Sequence, residues 1–300
     1  MTSIAAAMNR DVWLQADSLP QGYDVLRLHE QPAAEQARLL PPLFALIQAE
    51  YSAWLGLETT ENWLACLAEG NARGTRMAVS LVLDAGGAIA GASATEIYAN
   101  GTAIVHYSVG RRGDTAYLKL VAAATLDMVQ ALRVLQGQGL EINLLVKEHH
   151  LDSARAHAGY LAVGQVPLDG PTSLLRGAVK FYEVACGDPS ELEDPVRLEA
   201  AMALTDPQTP RLRAGLDDEV HLWLVGDFVP SRPEMSLARN LRLLAEGYAG
   251  ERSIFRMTDL SLDPGWQSLH RLADHLPPDT TYRQAVEASR LGAARFMGLA

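Results

Sequence analysis

The sequence predicts an α/β fold built on a mixed sheet and followed by a mainly helical C-terminal extension. Three observations carry that expectation. Period-two and helical hydrophobic patterns succeed one another in the order β, α, α, β, β, β, α, β, α, β over the first two-thirds of the chain. An Asn100-Gly101 pair, the strongest short hairpin signal, separates two strand-like runs. A third such run, Thr102 to Val109, passes through an Arg/Gly-rich turn directly into a long helix.

In chain order, Tyr23 to His29 alternates as a half-buried strand does. Helical spacing follows from Ala33 to Leu55, and Pro41-Pro42 is expected to split that run in two, because proline removes a helical N–H and crowds the preceding turn. Thr59 or Thr60 can cap a helix over Asn62 to Glu69, ended by Asn71 and Gly74. Met77 to Leu83 and Ile89 to Tyr98 flank the turn signal Asp84-Ala-Gly-Gly87, and Thr102 to Val109 completes an antiparallel meander. Tyr117 to Leu135 is a long helix whose Ala122-Ala-Ala124 face is small enough to press against a sheet. Leu140 to Val146 is a strand, Asp152 to Leu161 a helix and Phe181 to Ala185 a late strand. The run Gly187 to Pro195 changes character and marks a boundary, giving an arm at 1–21, a core at 22–187 and an extension at 188–300. In the extension, helices are expected at Arg197 to Leu204, Ser236 to Tyr248 and Thr281 to Phe296, with one strand at Val220 to Val225. Trp223, Phe228 and Trp266 either cover a pocket or form a helical core.

With 48% apolar and 20% charged residues, the chain can bury a real core, and wholesale disorder is excluded. Its 25 basic and 36 acidic residues give a net charge of −11, which disfavours a surface that coats nucleic acid. Cys66 and Cys186 lie far apart and show no metal spacing, which fits a reducing compartment. The N-terminus lacks the basic and apolar regions of a signal peptide, and no apolar run reaches membrane-spanning length. A soluble, cytoplasmic protein without a membrane partner is the expectation.

The segment Arg111-Arg-Gly-Asp-Thr-Ala116 can turn backbone N–H groups toward an anion at a helix N-terminus. Downstream, Ser153, Ala156, Tyr160 and Gly164 recur at the spacing N-x-x-A-x-x-x-Y-x-x-x-G, with Gln165 where an aromatic residue is usual. With the order of elements, these two motifs resemble the GNAT N-acyltransferase superfamily over about residues 22–186. The resemblance implies a loop of the form Q/R-x-x-G-x-G/A after a splayed, bulged strand, holding the coenzyme A pyrophosphate. Arg111 and Ala116 fit its ends; the middle glycine is replaced by Asp114, and Gly113 falls one place early. An anionic side chain there repels a diphosphate, and the lost glycine restricts close approach of the backbone.

The resemblance implies acetyl-CoA or another acyl-CoA as co-substrate and a small amine as acceptor. Val109, Gly110, Arg111, Arg112, Gly113, Thr115 and Ala116 would hold the donor, and Tyr160 would protonate the departing thiolate. Either Glu96 or His106 would be the base that deprotonates the amine. Two alternatives remain open at this stage: the same core taking its acyl group from an acyl carrier protein or charged tRNA, or serving as a non-catalytic binding module. A homodimer is also left open. Tyr51 and Trp54 lie where relatives shape the acceptor pocket, although for aromatic residues at helical spacing core packing is the preferred explanation. The Glu148-His149-His150-x-Asp152 cluster has no metal-site spacing and reads as an exposed loop; no metal is expected.

Overall fold

The structure, a computed structural model, describes residues 19, 21–50, 60–68, 74–114, 116–149, 165–168, 181–184, 217–252 and 264–296. Contacts divide the described residues into two compact units, one within residues 10–142 and the other within residues 143–300. The expected elements Asp152 to Leu161 and Arg197 to Leu204, the boundary at Gly187 to Pro195, and Tyr51 and Trp54 lie outside the described residues.

The first unit is a four-stranded antiparallel meander with helices on both faces. Strand β1 (Tyr23–Arg27) pairs with β2 (Arg76–Asp84), β2 with β3 (Ile89–Ile97), and β3 with β4 (Thr102–Gly110). Between β1 and β2 run α1 (Ala33–Glu50) and α2 (Thr60–Ala68); α3 (Tyr117–Gly137) follows β4. Every residue of β3 is buried, as a strand covered on both sides requires. One face meets α1 and α2 through a core of Leu39, Leu43, Trp63, Ala92, Ala94 and Tyr107. The other meets α3 through Val82, Ala90, Leu120 and Ala124. The small alanine face expected of α3 is used here, with Ala124 fully buried.

Two local expectations are corrected. Pro41 and Pro42 do not divide α1, which runs unbroken from Ala33 to Glu50. Both prolines lie on its exposed side, where solvent can reach the carbonyls that lose their N–H partners, while Leu39, Leu40, Leu43 and Ile47 anchor the buried side. The Asn100-Gly101 turn is a three-residue loop rather than a two-residue one: the Tyr98 N–H donates to the Thr102 carbonyl, and Gly101 takes a φ of +79°.

The second unit contains β5 (Leu144–His149), β6 (Gln165–Pro167), β7 (Phe181–Val184) and β8 (Asp217–Val225). Strand β8 is their hub, pairing antiparallel with β5, β6 and β7. Three helices follow: α4 (Leu237–Arg252), α5 (Pro264–His275) and α6 (Tyr282–Phe296). Tyr282 on α6 donates its hydroxyl to the carbonyls of Leu145 at 2.9 Å and Val225 at 2.8 Å, tying helix to strands. Trp223 and Phe228 belong to this unit's core, with the Phe228 ring edge-on to Tyr282 at 5.8 Å. Strand β5 starts later than the sequence suggests and takes in Glu148 and His149, so those two residues belong to a strand and not to a loop.

Candidate active site

The register of β3 against β4 brings two of the expected site residues together. Ala94 lies opposite Tyr107 and Thr95 opposite Val105, so His106 is an extra residue in β4 without a cross-strand partner. A bulge of this kind turns two successive side chains toward one face, which strict alternation forbids. Tyr107 enters the core on the α1–α2 side, its ring 6.2 Å from that of Trp63 on α2. His106 points to the same side and meets Glu96, two residues beyond Ala94 on that face of β3. The His106 Nε2 to Glu96 Oε2 distance is 2.9 Å. The side chains are only 17% and 12% exposed, so the contact is shielded from bulk water. Tyr98, again two residues along, donates its hydroxyl to the same Glu96 oxygen at 3.3 Å.

Glu96 and His106, candidates for one role in the sequence, are therefore joined as a pair. Tyr98 was missed there, although its period-two spacing from Glu96 puts it on the same face of the strand. From β1 through α3 the elements follow the order expected from the sequence, with the bulged fourth strand leading by a turn into a helix.

At the other end of β4 lies the turn. Val109 is fully buried opposite Ala92, and Gly110 pairs with Gly91. Gly110 lies four positions along the strand from His106, about 13 Å at the usual rise per residue. A Cβ on Gly110 would stand 2.9 Å from the Tyr117 ring, so glycine is what lets α3 start so close to the strand. Arg111 places its guanidinium on Asp84 Oδ2 at 2.8 Å and on the Ile89 carbonyl at 3.0 Å, pinning the turn to the β2–β3 hairpin. Gly113 has a φ of +81°, the left-handed conformation that closes the turn in which the Asp114 N–H donates to the Arg111 carbonyl. Arg112 and Gly113 are exposed.

Asp114 turns into the loop. Its Oδ1 accepts the Ala116 N–H at 2.8 Å and its Oδ2 accepts the Tyr23 hydroxyl at 2.9 Å. The Ala116 N–H, the Tyr23 hydroxyl and the nearby Arg111 charge hold its carboxyl below the usual carboxylate range. In return the Asp114 carboxylate raises the Tyr23 phenol above its ordinary value, first through the hydrogen bond.

A coenzyme A diphosphate is the group the resemblance implies for this turn, and the turn as built does not fit it. The N–H groups of Arg111, Asp114, Ala116 and Tyr117 all donate within the chain, to the Ala90 carbonyl, the Arg111 carbonyl, the Asp114 carboxylate and the Asp114 carbonyl. An anion of the protein's own stands at the start of α3. Thr115 and the Ser153–Gly164 motif with Tyr160 lie outside the described residues. Among the described residues, no three His, Cys, Asp or Glu side chains are grouped to hold a metal ion, and no helix is long and apolar enough to cross a membrane.

No protein-family model and no curated protein matches the chain. Among solved structures, it is similar to the ribosomal-protein-S18-alanine N-acetyltransferase from Escherichia coli, at 11% identity and a TM-score of 0.37, over 70% of this chain and 97% of that one. It is similar to the ribosomal-protein-S5-alanine acetyltransferase from Vibrio fischeri at the same 11% identity, TM-score of 0.37 and coverage of 70% and 97%. It is also similar to a tandem GNAT protein from the clavulanic acid biosynthesis pathway, at 17% identity and a TM-score of 0.34 over 50% of this chain; the match spans only 45% of that protein's length.

Proposed function

We propose that the chain is an N-acyltransferase, moving an acyl group from a thioester of the acetyl-CoA type to a small amine. The observation that carries this reading is the shielded Glu96–His106 contact at the bulge of β4. An alkyl amine is protonated at neutral pH, with a pKa near about 10.4 for a lysine-like group, and attacks a carbonyl only after losing that proton. A carboxylate bonded to an imidazole suits this proton transfer. The imidazole takes up the proton and the carboxylate stabilises the resulting cation. The ammonium's first proton passes through the pair to solvent; as the new N–C bond replaces the C–S bond the second passes to the pair, the departing thiolate takes a proton from Tyr160, and the Tyr160 phenolate is reprotonated from solvent. The support for Tyr160 is the spacing from Ser153 to Gly164 in the sequence. Tyr98 acts as a positioning residue that holds the Glu96 carboxylate toward His106.

The test measures thiol released from acetyl-CoA and from S-acetylpantetheine in the presence of a panel of primary amines. Amine-dependent release is expected from the intact chain, and Glu96→Gln should lower kcat/KM by about 10²- to 10⁴-fold, the usual contribution of a positioned base. Release by Glu96→Gln at the rate of the intact chain would sink the proposal.

A further inference from the structure

We infer that Asp114 is a specificity-determining residue that fills the anion seat at the start of α3 with the protein's own carboxylate, so that the donor is not held there by a diphosphate. The inference rests on the acyl-transfer reading and concerns how the donor is recognised, not how the acyl group moves.

Three observations carry it. The carboxylate is held by two partners from separate places, the Ala116 N–H at 2.8 Å and the Tyr23 hydroxyl at 2.9 Å, the latter reaching from β1 across 91 positions of chain. The amides of Arg111, Asp114 and Tyr117 are committed to backbone carbonyls, so displacing the carboxylate would release only the Ala116 N–H of these four. The guanidinium of Arg111, the obvious cation for a phosphate, is engaged by Asp84 and the Ile89 carbonyl. A bound diphosphate would settle beside an anion, and it could draw on these four amides and on Arg111 only by breaking contacts that the chain already satisfies internally. Donor binding then depends on the acyl and pantetheine portion, and a thioester lacking the nucleotide serves nearly as well.

Calorimetry on the full chain distinguishes the cases, with coenzyme A and pantetheine as probes. The intact chain is expected to bind coenzyme A no more than about threefold more tightly than pantetheine. Asp114→Gly, which removes the carboxylate and frees the backbone, should bind coenzyme A at least tenfold more tightly than the intact chain does. Asp114→Asn keeps an acceptor for the Ala116 N–H and so guards against a folding defect; it should gain less. Tyr23→Phe leaves the Oδ1 contact in place and should gain less than threefold. A hundredfold preference of the intact chain for coenzyme A over pantetheine would overturn the inference. So would the absence of any gain in both Asp114 variants, or a gain in Tyr23→Phe equal to that in Asp114→Gly. Because binding is read without turnover, a failure of acyl transfer would strike the proposed function and leave this result standing.

Discussion

At the scale of single residues, the chain shows how environment rather than identity assigns a role. Glu96 and His106 are ordinary strand residues in the sequence; one extra residue in β4 brings them to 2.9 Å. Lys147 on β5 is a contrasting case. It is buried, and burial alone pushes its ammonium down to about 7. The folded chain therefore binds fewer protons than the unfolded one between about pH 7 and the ordinary lysine value of 10.5. Stability contributed through this group rises with pH across that window and is lowest at its acid end. Lys147→Met should accordingly raise Tm at pH 7, with the gain shrinking by pH 10. Melting curves at the two pH values check this; a gain independent of pH would show that Lys147 is not the titrating group.

At the scale of elements, the first unit is clamped on its α3 face by polar contacts that few sequence patterns announce. Asp127 on α3 accepts the Arg27 guanidinium at 2.9 Å and the Ser80 hydroxyl at 2.7 Å, joining β1, β2 and the helix. Removing a charged partner from such a partly shielded group costs about 1.5–3 kcal/mol per lost hydrogen bond. Asp127→Ala loses both contacts and is expected to lower stability by at least about 3 kcal/mol in urea unfolding, and a loss below about 0.5 kcal/mol would refute the clamp. At the turn, Gly110→Ala would force a Cβ against Tyr117, an overpacking worth about 1–3 kcal/mol. The same substitution should loosen the start of α3, visible as faster amide exchange at Tyr117 and Leu120; unchanged exchange would contradict the close approach.

For the whole molecule, the sequence was legible where structure depends on neighbours along the chain. The meander of β2, β3 and β4, the long helix α3 and the Gly101 turn follow from periodicity and local turn chemistry. Glu96 and His106 could be chosen as chemical candidates from the family resemblance and their place on successive strands. Their pairing could not be read, because a bulge shifts register by one residue while leaving the local pattern of apolar residues intact. Nor could the inward turn of Asp114, which depends on Tyr23 far away in the chain. The continuity of α1 through Pro41-Pro42 depended on which side of the helix faced water. In the second unit the helix Pro264–His275 escaped notice, although Leu269, Leu272 and Leu276 carry a helical period. The role of β8 as a hub required knowing three partners separated from it in sequence.

The claim on which the functional account turns is that Glu96 and His106 act as one proton acceptor in acyl transfer. A double-mutant cycle tests it most directly, with kcat/KM for amine-dependent thiol release measured for the intact chain, Glu96→Gln, His106→Gln and the double variant. Residues acting as a unit are strongly non-additive. The account predicts that each single substitution removes most of the activity and that the double variant is little worse than the worse single one. Losses that simply multiply, or activity retained in the double variant, would contradict it.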